Sequence, residues 1–210
     1  MSVATFLARY LADGAVLVTL TRAAGSTPRE AGAAMAVSPN AIAGTIGGGQ
    51  LEFHCLDIAR TMLEAGELAR SLDIPLGPQM GQCCGGRVQV SLRRATSTDL
   101  AMQVARERAE AEARPAVLVF GAGHTGRALV EALALLPFRI SLIDDRDGVM
   151  DGLPAAVTCI RMADPVAAVP TAPAGAAHVV LTHSHALDYR LTEAALQRGD
   201  AAYVGMIGSA

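Results

Sequence analysis

A glycine-rich hexapeptide, Gly121-Ala122-Gly123-His124-Thr125-Gly126, stands between an apolar run at 116–120 and a segment of helical spacing at 124–136. Glycines at these intervals let the chain turn sharply, let backbone approach a phosphate, and let the following helix pack closely on its strand. The N–H groups that open the helix would face an anion. Asp144, 23 residues beyond Gly121 at the end of the next apolar segment, or Asp145 beside it, is placed to accept from a ribose hydroxyl. The pattern predicts a crevice for a phosphate-bearing ligand, NAD(P) among the candidates, although a crevice of this shape also serves other ligands or none.

A second group is Thr182-His183-Ser184-His185-Ala186-Leu187-Asp188, at the C-terminal end of another predicted strand, where open α/β sheets bind ligands. His183 and His185 project to one side if the strand continues, and with Asp188 they could line a ligand, act as acid or base, or hold a metal. The plainer reading is a capping loop in which Ser184 or His185 starts the helix that Asp188 enters. A third group, Cys83-Cys84-Gly85-Gly86, puts adjacent thiols on a glycine loop. A thiolate there is a soft metal ligand or a nucleophile able to carry sulfur, and the alternative is a small buried hydrophobe in a turn. No C-x-x-C spacing occurs, so zinc-ribbon and thioredoxin readings find no support. Cys55, on the apolar side of a helix, and Cys159, within a strand, read as structural.

The fourth group is Gly44-Thr45-Ile46-Gly47-Gly48-Gly49-Gln50-Leu51-Glu52, another glycine turn ahead of a helix and another anion cradle. Glu52 in the first helical turn can serve the helix dipole. The Gly-Lys-Ser/Thr of a nucleotide P-loop is missing, so ATP hydrolysis is not supported. Upstream, Gly25-Ser26-Thr27-Pro28-Arg29 places a guanidinium on a loop, where it would hold a carboxylate or phosphate, or simply form a surface salt bridge.

The elements that must position these groups differ along the chain. A β-branched run at 15–21 reads as a buried strand, and 33–37 and 41–46 read as a hairpin about Pro39-Asn40. Helical spacing of Leu51, His54, Cys55, Ile58, Met62 and Ala65 predicts a helix at 50–65, and a strand follows at 87–92. Residues 98–114 carry charges at helical spacing with few large apolar side chains, stop at Pro115, and read as a solvated linker helix or flexible hinge. Beyond it, predicted strands at 116–120, 139–143, 157–160, 178–182 and 202–207 are interspersed with helices at 124–136 and 187–197, the pattern of a parallel sheet. The expected architecture is a mixed α/β N-terminal domain (1–97), the linker (98–114), and a Rossmann-like doubly wound parallel sheet (115–210).

Composition narrows the function classes. Seventeen basic against 20 acidic side chains leave a formal net charge of −3, and only four Phe and three Tyr are present with no Trp. Such a chain has neither the positive field nor the stacking platform of a nucleic-acid reader. The longest uncharged stretch, 165–182, is broken by Pro170, Pro173 and Gly175, so no membrane span is expected. Arg9 and Asp13 precede the first apolar run, which does not support a signal peptide, and the cysteines suit a reducing cytoplasm.

In this order, Gly25-Ser26-Thr27-Pro28-Arg29, Gly44-Thr45-Ile46-Gly47-Gly48-Gly49 with Glu52, Cys84-Gly85-Gly86, Gly121-Ala122-Gly123-His124, and Thr182-His183 with His185 and Asp188 resemble the XdhC/CoxI family of xanthine dehydrogenase accessory proteins. The likeness runs from about residue 15 to the C-terminus. It implies a protein that binds the molybdenum cofactor (molybdopterin), protects it while a sulfido ligand is installed with help from a cysteine desulfurase, and delivers it to a xanthine dehydrogenase-type molybdenum hydroxylase. On that reading Gly121, Gly123, His124, Gly126, Asp144, Gly47, Gly48, Gly49, Glu52, Arg29, Cys84, His183, His185 and Asp188 line a cleft between the halves. Cys84 or Cys83 is then the molybdenum ligand or sulfur relay. A homodimer is the expectation from base rates. The family usually continues past 204–209 with a basic helical segment, so this chain is expected to be a short or truncated form, or one completed by a partner. The competing class is a small NAD(P)-dependent oxidoreductase with His183 or His185 as acid or base, and a third is an interaction module that binds neither cofactor.

Overall fold

The computed structural model describes residues 1–77 and 85–207. The chain divides into two compact units, Met1–Arg108 and Ala109–Ala210.

Unit 1 is built on an antiparallel five-stranded sheet. Its strands are β1 (Val16–Ala24), β2 (Ala34–Val37), β3 (Ile42–Gly44), β4 (Ala69–Pro75) and β5 (Arg87–Arg94), in the order β3-β2-β1-β5-β4. Alternation along β1 sends Val16, Val18 and Leu20 to one face and Leu17 to the other. The first face receives helix α2 (Gly49–Ala65) through Leu51, Cys55, Ala59 and Met62, which recur every three or four residues and are fully buried. Burial on this scale contributes about 1.5–3 kcal/mol for each large side chain. The second face is covered by α1 (Val3–Tyr10), whose Phe6 and Leu7 are fully buried. The 98–114 segment forms a helix, α3 (Ser97–Glu112). Its start is fixed by buried Asp99, which accepts from the N–H and the hydroxyl of Thr96 (2.9 and 2.8 Å).

Unit 2 is a parallel five-stranded sheet of β6 (Ala116–Phe120), β7 (Arg139–Asp144), β8 (Val157–Arg161), β9 (Ala177–Val180) and β10 (Tyr203–Met206), in the order β10-β9-β6-β7-β8. Every residue of β6 is buried, because both faces of the sheet are covered. Val117 and Val119 pack with Val130 of α4 (His124–Leu133); Leu118 and Phe120 pack with Leu191 and Ala195 of α5 (His185–Arg198) and with a 3-10 segment, Pro165–Thr171. This is the doubly wound arrangement expected from the alternating pattern. Cys55 is buried as expected, whereas Cys159 lies on edge strand β8 with its residue exposed. Among the described residues no helix is long and apolar enough to cross a membrane.

Candidate functional site

Strand order in unit 2 reverses between β6 and β9, the place in an open α/β sheet where ligands bind. Leu181 N–H donates to the Phe120 carbonyl (2.9 Å), so the 121–126 turn and the loop after β9 leave the sheet side by side. Their closeness requires glycine. A Cβ on Gly121 would lie 2.3 Å from the Leu181 carbonyl oxygen, and one on Gly126 would lie 1.9 Å from that of Gly121. Gly123 differs: its backbone is extended, and a Cβ there would meet nothing within 4 Å. It is the N-cap of α4 and supplies no side-chain cap, so among the described residues the first-turn N–H groups of the helix lack a side-chain acceptor.

Asp144 is turned inward. It is 3% exposed and accepts from Ala122 N–H (2.6 Å), from Arg146 N–H (2.9 Å), and from Arg146 Nε and Nη2 (2.9 Å each). Burial pushes this carboxyl up, but the Arg146 guanidinium and the two backbone N–H donors outweigh it and hold the group well below the usual carboxylate range. Oδ2 thus fastens the glycine turn to the end of β7, while Oδ1 is held by Arg146. Neighbouring Asp145 is only half-buried and lies 3.9 Å from His183 Nδ1. Arg146, not singled out by its sequence position, stands beside this turn with a side chain 39% exposed; its signal is the Asp144-Asp145-Arg146 run at a strand end.

The loop after β9 is a capping structure. Ser184 Oγ accepts from Leu187 N–H (3.4 Å), and α5 starts at His185. Asp188 is 3% exposed and accepts from the Thr182 N–H and hydroxyl (2.9 and 2.7 Å), closing the loop on itself. His183 points to Asp145 while His185 lies exposed, 3.8 Å from Asp188. The two histidines therefore belong to separate pairs, and among the described residues no group of three or more His, Cys, Asp or Glu side chains is gathered for a metal.

Unit 1 gathers the other glycine segments. A Cβ on Gly86 would lie 2.2 Å from the Ser26 carbonyl oxygen, and one on Gly47 would lie 2.5 Å from Pro28 Cγ. The loop carrying Arg29 is thereby pressed against both the 47–49 turn and the segment that follows Cys83 and Cys84. Those two cysteines lie outside the described residues. Arg29 is exposed and, among the described residues, has no ion-pair partner. The 47–49 turn is occupied from within: Glu52 Oε2 accepts from the Thr45 hydroxyl (2.6 Å) and from the N–H groups of Ile46 and Gly48 (3.2 Å each). Its anion is the chain's own carboxylate. One turn further, burial and then the Glu52 charge push the Cys55 thiol up to about 12, so it remains protonated.

The two units match known proteins separately and in the same sense. Residues 117–210 match the XdhC Rossmann domain, and residues 11–72 match the XdhC and CoxI family. A curated relative, YqeB, an uncharacterised protein of Escherichia coli strain K12, is 29% identical over 127 residues, 57% of this chain and 20% of that protein. The chain spans about a fifth of that relative's length. A solved structure from Bacillus halodurans, named a xanthine dehydrogenase, covers 100% of this chain and 82% of its own with a TM-score of 0.75; at 18% identity the likeness is one of fold. With its first unit matched by one part of the family and its second by the other, the chain belongs to the XdhC and CoxI family.

Proposed function

We propose that this chain is an accessory protein of a xanthine dehydrogenase-type molybdenum hydroxylase: it binds the molybdenum cofactor as cargo, supports its sulfuration and hands it to the enzyme. Family membership supports the setting. The observation that carries the reading is the open first turn of α4 at the strand-order reversal, with Gly123 bare of any cap. Molybdopterin carries a terminal phosphate, and a helix start with free N–H donors fits that group. The 47–49 turn does not fit a second anion while Glu52 fills it.

In this reading the first-turn N–H groups of α4, with His124 on its exposed surface, hold the phosphate, and Asp145 and His183 border the crevice. Asp144, Arg146 and Asp188 hold the two loops in place. Cys84 or Cys83, next to the Gly85-Gly86 segment, is the candidate soft ligand or sulfur carrier. When bound, the cofactor supplies a molybdenum centre whose sulfido ligand the client enzyme needs. A cysteine desulfurase as sulfur source and a homodimeric assembly complete the proposal.

The test is to purify the protein from a host that makes molybdenum cofactor and to measure molybdenum by mass spectrometry and the oxidised pterin by fluorescence. Stoichiometric amounts of both, with transfer that activates a demolybdo hydroxylase, are the expected result. Bound nicotinamide nucleotide with hydride transfer to a small substrate would replace the proposal with the oxidoreductase reading. Absence of both cofactors from the purified protein and from reconstitution would reject it. Loss of sulfurated product without loss of bound pterin in Cys83→Ala with Cys84→Ala would assign the thiols to sulfur transfer.

A further inference from the structure

Unit 1 has a second end. Strand β1, nine residues long, carries the glycine segments at its Ala24 end. Some 25 Å away along the strand, its Val16 end pairs with Arg94 of β5. Beside that far end lies a cavity of about 380 Å³, lined by Asp13, Asn40, Arg60, Leu63, Glu64 and Arg94 among others. The residues come from the turn before β1, the tip of the β2–β3 hairpin, the last turns of α2 and the end of β5.

Among the described residues, two guanidiniums line this cavity without a hydrogen-bond or ion-pair partner. Arg60 is half-buried, and its Nε is fully buried with no acceptor. Arg94 is half-buried too, and its guanidinium lies over Gly14, where an added Cβ would sit 3.0 Å from Nη2. The glycine therefore makes the room in which Arg94 rests. Exposed Asp13 and Glu64 line the same cavity. Among the described residues, no ion pair joins them to either arginine. A buried Nε–H left without an acceptor is costly, and a fork of guanidinium donors suits an oxyanion. Carboxylates at the exposed rim oppose a bare multivalent anion and favour a ligand that brings its own cation. The volume is that of a small metabolite.

We propose that this cavity binds a small zwitterionic metabolite, its carboxylate or phosphate on Arg60 and Arg94 and its protonated amine on Asp13 and Glu64. The site is independent of the molybdenum reading. Calorimetric titration of the full chain with 4-aminobutyrate, O-phosphoethanolamine and inorganic phosphate separates the sources. Saturable binding of the first marks a carboxylate head, and of the second a phosphate head. Inorganic phosphate, which lacks the amine, should bind about tenfold more weakly. Arg60→Gln and Arg94→Gln should each weaken the zwitterion about tenfold, the effect of losing a charge-assisted bond. A measurement on the unsubstituted chain accompanies them: bound zwitterion should slow phenylglyoxal modification of Arg60 and Arg94, but not of Arg29. No saturable binding of either zwitterion, no protection of the two arginines, or inorganic phosphate binding as tightly as the zwitterions would each overturn the proposal.

Discussion

Gly123 offers a substitution that separates ligand binding from folding. Its backbone is extended, with φ −70° and ψ −178°, and a Cβ there meets no atom within 4 Å, so a Cβ can be placed without strain. Gly123→Asp would put a carboxylate at the N-cap of α4, where it accepts from the N–H groups two or three residues on. For the fold this is neutral to favourable, since Asp is a better cap than Gly by a few tenths of a kcal/mol and suits the helix dipole. For a phosphate it is the reverse. The carboxylate takes up the donors the ligand needs and places a like charge about 4 Å from it. That repulsion is about 1 kcal/mol per unit charge when fully solvated and about 4 kcal/mol at the lower effective dielectric of a protein surface. Binding should weaken by about tenfold to a thousandfold. Gly123→Asn is the control, because it caps similarly without the charge and should lose much less. The assay is the molybdenum and pterin content of protein purified from a cofactor-producing host, read beside the melting temperature. Gly123→Asp protein that melts no lower than the parent and still carries a full complement of cofactor would refute the placing of the phosphate at this helix start.

Three further substitutions test the scaffold. Gly126→Ala drives a Cβ to within 1.9 Å of the Gly121 carbonyl oxygen, and a loss of about 1–3 kcal/mol in chemical denaturation is expected; a wild-type midpoint would show that the helix and turn separate freely. Asp144 is held below the ordinary carboxylate range, so the stability it contributes is complete above about pH 4 and is lost as pH falls below that. Asp144→Asn should lower the melting temperature at pH 7 and reduce the acid-side decline, and an unchanged pH profile would contradict the role given to Arg146. His178 is fully buried between β6 and β10, stacks on Phe120, and among the described residues has no hydrogen-bond partner for either ring nitrogen. Burial, and then the Arg198 charge, holds its imidazole below the usual histidine range, so stability should fall as pH drops through about 6.5, where the unfolded chain takes up the proton. His178→Phe should add about 1–2 kcal/mol and flatten that decline; a lower melting temperature at both pH 7 and pH 5 would oppose this account.

What could be read from the sequence follows from where each interaction lies. Strand β6 was legible because five consecutive apolar residues stand between Pro115 and Gly121, and burial on both faces demands such a run. The edge strand β4 was not, since Ile74 is its only buried residue and its pairing with β5 supplies most of what orders it. Helix α1 escaped for a similar reason: it has eight residues, and its helical state depends on seating Phe6 and Leu7 on the sheet. Helix α4 ends at Leu133, short of the expected 136, and Leu135 and Leu136 beyond it are exposed, so their apolar character does not report burial. At the candidate site, the sequence located the glycine turns but not the partners that set their state. Arg146 on Asp144 is visible only once β7 has delivered both residues to the turn.

The same limit explains why two turns with similar glycine grammar differ in what they offer. Both precede a helix, and both present backbone N–H groups that a stretched chain could offer to an anion. At 47–49, where three successive glycines take φ of +131°, +74° and +62°, the turn wraps around Glu52, three residues after the helix begins, and the chain satisfies its own donors. At 121–126 the corresponding carboxylate, Asp144, comes from the next strand and reaches only Ala122, which leaves the donors beyond Gly123 without it. A carboxylate inside the helix's first turn closes the cradle, whereas one delivered by a neighbouring strand braces it and leaves it open. The position of the acid, more than the number of glycines, therefore decides which turn has its N–H donors engaged by the chain's own carboxylate.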